Sequence, residues 1–265
     1  MSIRNRVAGV DFSGARDAGK NIWIAEGTVS PNGVKIEKLQ RASELPGGGH
    51  SFEPAIIALV KYVTTLSGHV VGFDFPFSLP IQLIAQEDWL SFAHHFAENY
   101  TSPDQFRDHC RHRTGGKEFK RATDTEARVP WCAYNLRLYR QTWAGIRHVL
   151  VPLVEQGACV IPMQAPTKEK PVIAEICPAS TLKAEGLYVP YKGRAKIFRD
   201  GRAKILLGVT RRGLLSPVRR KLRGTILDNP GGDALDAVLS AIAAARIDDA
   251  NPRNALDSIE SRVYF

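Results

Sequence analysis

The chain has few cysteines and spaces them widely. Its 265 residues hold four, Cys110, Cys132, Cys159 and Cys177, with no CxxC pair among them. That argues against a disulfide framework and against a thiolate zinc ribbon, and it fits reduced, buried thiols. A long apolar run is also missing. No stretch of about 18 apolar residues occurs, so no membrane-spanning helix is expected. The opening, Met1-Ser2-Ile3-Arg4-Asn5-Arg6, leads into a strand and not into a signal-peptide apolar core, which points to a cytoplasmic protein. Internal repeats and low-complexity tracts are absent too. Hydrophobic residues make up 44% and charged residues 24%, which excludes a disordered chain and allows a large core.

Net charge is +9 and unevenly placed. Residues 183–223 carry thirteen Lys or Arg against Glu185 and Asp200. Residues 107–147 carry ten against four acids. Acids dominate the remainder. Clustered cations are the footprint of a polyanion partner, although a solvated basic surface has the same composition. The candidate contacts are Lys120, Arg121, Arg128, Arg137 and Arg140 in one block and Arg219, Arg220 and Lys221 in the other. Tyr134, Tyr139 and Trp143 are candidate stacking groups, with core packing as the other reading for Tyr139 and Trp143.

Strands are expected over 6–12, over the alternating 20–27, over 33–39 after the turn at Pro31-Asn32-Gly33, over the short apolar run 69–75 closed by Pro76, and over 171–177, stopped by Pro178. Apolar residues at helical spacing predict helices over 52–66, 81–97, 134–156 and 231–246, a short helix after Pro178, and basic helices across 195–227. Residues 98–133 are polar and weakly periodic and read as irregular. The expected fold is α/β, one domain. A mixed five-stranded sheet, three antiparallel strands followed by parallel additions, is flanked by helices. A mostly helical, basic insertion spans about 81–157.

Within this layout five acids are out of place. Asp11, Asp74 and Glu175 each interrupt an apolar strand, in "VAGVDFSGAR", "VVGFDFPF" and "VIAEICPAS". Asp233 and Asp236, three apart on the last helix, share one face. A lone buried carboxylate is costly, and several together repel one another. A hard divalent cation, Mg²⁺ or Mn²⁺, resolves both problems because it takes oxygen ligands. Two such ions activate water and stabilise the leaving oxygen of a phosphodiester.

The element order with an Asp on the first strand resembles the RNase H-like superfamily. "GGDALDAVLSAIAAA" resembles the D-x-x-D-A ending of RuvC-type resolvases. More closely, "GVDFSGA", "GFDFPFSLP", "AEICPASTL", "GDALDAVLSA" and the insertion stretch "ATDTEARVPWCAYNLRLYRQT" resemble a domain-of-unknown-function family predicted to be RNase H-like nucleases. The resemblance implies metal-dependent hydrolysis of nucleic acid. It implies Asp11, Asp74, Glu175, Asp233 and Asp236 as catalytic and metal-binding residues. Two other readings stand beside it: a nucleic-acid-binding protein with an inactive nuclease fold, and an actin- or sugar-kinase-like phosphotransferase. The latter is disfavoured because "VDFSG" has no second copy.

Smaller signals have plainer readings. Ser13-Gly14 is a turn after a strand, with phosphate contact as the sharper alternative. His109, Cys110 and His112 are too few for a zinc site. Asp124 and Glu126 suit a helix cap.

Overall fold

The computed structural model describes residues 3–265. Among these the strands are β1 (Arg6–Asp11), β2 (Trp23–Ser30), β3 (Gly33–Arg41), β4 (His69–Phe73), β5 (Cys159–Ile161), β6 (Val172–Ile176) and β7 (Val263–Tyr264). They form one sheet in the order β3-β2-β1-β4-β6-β5, with β7 also pairing β6. β1–β2 and β2–β3 are antiparallel, and every other pairing is parallel. The mixed, helix-flanked α/β sheet is as expected, but it has seven strands where five were expected. The two extra ones, β5 and β7, are three and two residues long, too short for an alternation signal.

Each face of the sheet carries its own core. On one face, the Phe52–Thr64 helix buries Ile56, Leu59, Val60 and Val63, the helical stripe visible in the sequence. The 89–155 helices cover the same face. Residues 98–133 are more regular than expected, with helices at Pro103–Arg113 and Ala122–Glu126. The first is started by Ser102, whose side chain accepts from Gln105 N, with Pro103 in its first turn. The helix expected over 81–97 begins later, at Trp89, where Asp88 caps it. The helix expected over 134–156 begins at Tyr139 and runs through a π-helical turn at Ile146–Leu150.

On the other face lie the Asp233–Ala245 and Lys196–Arg211 helices. Asp233–Ala245 is almost wholly buried, and its small residues let it lie close to the strands. Gly9 and Gly72 are cross-strand partners in β1 and β4. A Cβ on Gly9 would stand 2.1 Å from Ala237 O and 2.2 Å from Ala241 N. One on Gly72 would stand 2.9 Å from Ser240 O. The two glycines form a bare floor into which this helix sinks. No helix among the described residues is long and apolar enough to cross a membrane.

Candidate active site

The glycine floor sets the site. Strand side chains alternate between faces, so residues two along from Gly9 and Gly72 return to the helix side. Those residues are Asp11, ending β1, and Asp74, just past β4. The Asp74 N–H donates to Val10 O at 3.1 Å, which holds the two strand ends together. Gln141 Nε2 adds a clasp, donating to Phe12 O at 2.8 Å and to Asp74 O. Across from them the helix begins at Asp233, after Gly232 in the left-handed conformation at φ 82°. A Cβ on Gly232 would also press 2.9 Å from the Tyr191 ring, so glycine lets the 191–192 segment close over the acids.

Four carboxylates therefore act on one another: Asp11, Asp74, Asp233 and Asp236. Asp236 is 1% exposed and Asp11 8%. Burial, reinforced by the negative charge of Asp236, raises Asp11 well above the usual carboxylate range. The same two causes lift Asp74 to about 7. Asp233 is raised mainly by burial. The compensating charge is Lys192, whose Nζ lies 2.6 Å from Asp236 Oδ2. The Lys192 side chain is 55% exposed, so it reaches in from the solvent side. Its ammonium is held well above its ordinary pKa, chiefly by the charge of Asp236. Tyr191 Oη donates to Asp236 Oδ1 at 2.7 Å.

Glu175 reaches this group through its charge, which adds to the rise of Asp74, while its oxygens are taken by other partners. β6 pairs with β4 so that Ala174 stands beside Gly72 and Glu175 beside Phe73. Glu175 is thus out of phase with Asp11 and Asp74. Its Oε2 accepts from Phe77 N at 3.0 Å and from Arg121 Nη1 at 2.8 Å, while its Oε1 is bound by Arg121 Nη2. The burial of Arg121 corrects its expected place at a phosphate-binding surface. Glu175 is the buried partner of an arginine, and Arg121, 1% exposed, cannot present itself to a phosphate.

Arg121 makes a closed network. It also binds Asp124 and donates to Glu260 O at 2.9 Å. Glu260 in turn accepts from Ile81 N at 2.7 Å and Ala122 N at 2.9 Å. Asp124 accepts from Arg121 N at 3.0 Å, which is the cap expected of it.

The remaining candidate cations are exposed: Lys120, Arg128, Arg137, Arg140, Arg219, Arg220 and Lys221. Lys120 Nζ is committed to Val129 O at 2.7 Å. Arg219, Arg220 and Lys221 stand at the start of the Arg220–Asp228 helix. The positive end of the helix dipole disfavours them there, and a bound polyanion would offset that cost. Tyr134 and Tyr139 are buried and Trp143 is partly buried against the core, so packing is their role. Gly14 serves close packing: a Cβ there would stand 2.6 Å from Arg140 O.

Chemically, the helix-side acids offer only carboxylate oxygen, the donor a hard divalent ion takes. As they lie, however, no group of three or more His, Cys, Asp or Glu among the described residues is arranged to hold an ion. Lys192 supplies the positive charge instead. Sequence reading missed Tyr191, Lys192 and Gln141. The paired "GVD" and "GFD" segments were the available clue to the shared face of Asp11 and Asp74. No family model, curated protein or solved structure matches the chain.

Proposed function

We propose that this protein hydrolyses phosphodiester bonds of nucleic acid at the Asp11, Asp74 and Asp236 cluster, with Mg²⁺ or Mn²⁺ as cofactor, on an RNase H-like sheet. One observation carries the reading: Asp11 and Asp74, at the ends of β1 and β4, are buried and both feel the charge of Asp236 at the start of the buried helix. Repulsion among buried carboxylates is a cost that a fold keeps when a cation or a proton is to be managed there. The antiparallel β3-β2-β1 order continued by parallel β4 and β6 supports the superfamily reading.

Asp11, Asp74 and Asp236, with Asp233 at the margin, would hold the ion, which when bound supplies positive charge at the phosphate and an activated water. Tyr191 orients Asp236 through its hydroxyl. Lys192, already inside, neutralises the acids and must move off Asp236 for that carboxylate to take another cation. The exposed cations of the two basic blocks bind the phosphate backbone without reading sequence.

The test is incubation of the protein with single-stranded, duplex and branched DNA and RNA plus Mn²⁺, beside Asp11→Asn. Cleavage by the wild type and binding without cleavage by the variant is the expected result. Equal cleavage by both places the activity elsewhere. The Lys192–Asp236 ion pair favours a second reading, a nucleic-acid-binding protein whose acids are permanently neutralised by lysine. Binding without cleavage by both proteins selects it.

A further inference from the structure

We propose that the cavity beside the acid cluster is the seat for one unstacked base, so that the strand presented to Asp74 and Asp236 is single or locally opened. This rests on the phosphodiester reading above. The cavity holds about 220 Å³. That is below the roughly 300–1,000 Å³ of pockets for drug-sized molecules, and it suits a single ring system, not a base pair. Asp74, Asp236 and Lys192 line one end. Its apolar lining includes Trp131, Pro130, Leu138 and Pro178.

Trp131 is the unusual member. It is a large aromatic, 38% exposed, in a chain that buries most of its aromatics. The Arg137 guanidinium lies 4.9 Å from its ring centroid and steadies the indole. An exposed, braced aromatic beside a phosphate-handling site is a stacking platform. Arg121 and Glu175 also line it, and each is already bound to the other. Gln141, Tyr191 and one thiol, Cys177, are the other polar groups of the lining. Burial pushes the thiol up to about 11, so it stays a neutral group. A pocket with a stacking wall holds any base and discriminates little among them. Duplex nucleic acid reaches it only by extruding a nucleotide.

The experiment measures fluorescence anisotropy of labelled dT, dA and dC homopolymers and of a blunt duplex of the same length. It uses chelator at fixed salt, for the full chain and for Trp131→Ala and Trp131→Phe. The single strands should bind at least about tenfold tighter than the duplex and differ little among themselves. Trp131→Ala should weaken single-strand binding about tenfold, within the range of one base–aromatic stack, and leave duplex binding unchanged. Trp131→Phe, which keeps a ring, should retain most of the affinity. The proposal is overturned if Trp131→Ala binds single strands like the wild type, or if it weakens duplex equally. A cleavage assay with Mn²⁺ on the same proteins separates the two readings. Cleavage with no effect of Trp131 sinks the base seat alone, and a Trp131 effect without any cleavage sinks hydrolysis and leaves the seat standing.

Discussion

Replacing Gly9 by alanine is the most direct trial of how the site is assembled. The added methyl would lie 2.1 Å from Ala237 O, 2.2 Å from Ala241 N and 2.7 Å from Ser240 C. All three are backbone atoms of a buried helix, so no side chain can turn aside. Relief requires the helix to rise by about 1 Å, and overpacking of this kind costs about 1–3 kcal/mol. With backbone on both sides of the clash, the upper end applies. Alanine's easier backbone in a strand returns about 0.5–1 kcal/mol. A net loss near 2 kcal/mol lowers the melting temperature of a chain this size by roughly 4–8 °C. Gly72→Ala meets one side-chain atom, Ile176 Cγ1 at 2.6 Å, and only one backbone oxygen inside 3 Å, Ser240 O at 2.9 Å, so its loss should be smaller. Thermal melts of the three proteins decide the matter. A Gly9→Ala melt within about 1 °C of wild type, or a Gly72→Ala loss larger than that of Gly9→Ala, would refute the argument that the glycine floor sets the helix height.

Arg121→Met should cost about 3–5 kcal/mol in urea unfolding, because Glu175 and Asp124 would stay buried without their cation. Arg121→Lys should recover little of it, since a single ammonium cannot make the forked contacts to both acids. Lys192→Met removes the charge that holds Asp11 and Asp74 down, so both carboxyls should titrate higher in ¹³C NMR. An unmoved Asp74 would show that Lys192 is not its counter-ion. Asp74 titrates at about 7 when folded, against about 3.9 in an unfolded chain. Its contribution to stability is therefore full below about pH 4 and is lost as pH rises through 7. Millimolar Mg²⁺ should raise the melting temperature more at about pH 8 than at about pH 5, and an equal shift at both would count against binding at these acids.

The elements that carry the site were readable because apolar runs bounded by turn residues mark them. The turn-bounded runs of β1 to β4, β4 as a short apolar stretch, and the Ala-rich run of the last helix predict their places to within a few residues. Facing was harder. Asp11, Asp74 and Glu175 look alike in sequence, each an acid in an apolar strand. Only the pairing of Gly9 with Gly72 and of Gly72 with Ala174 puts Glu175 out of phase. Arg121 sits in a basic stretch and reads as a surface cation. Its burial is decided by Glu175, 54 positions away, and by Glu260, 139 positions away. Lys192 lies in a segment with no periodicity, so nothing local announces that its ammonium reaches Asp236.

The Glu260 junction carries a consequence in time. Ser78 donates to Ile259 O at 2.6 Å, Ile81 and Ala122 donate to the Glu260 carboxylate, and Val263 N donates to Thr123 Oγ1 at 2.8 Å. Every one of these links closes a loop of well over a hundred residues, and such contacts form late because their entropy must be lost before they return anything. The antiparallel β1-β2-β3 meander joins neighbours in sequence and has no such delay. A refolding chain should pass through a stage with the meander in place and the 78–123 segment still undocked. Glu175 would then be hydrated and Arg121 free in solvent. Catalytic or binding competence, followed after dilution from denaturant, would then lag behind the recovery of sheet structure.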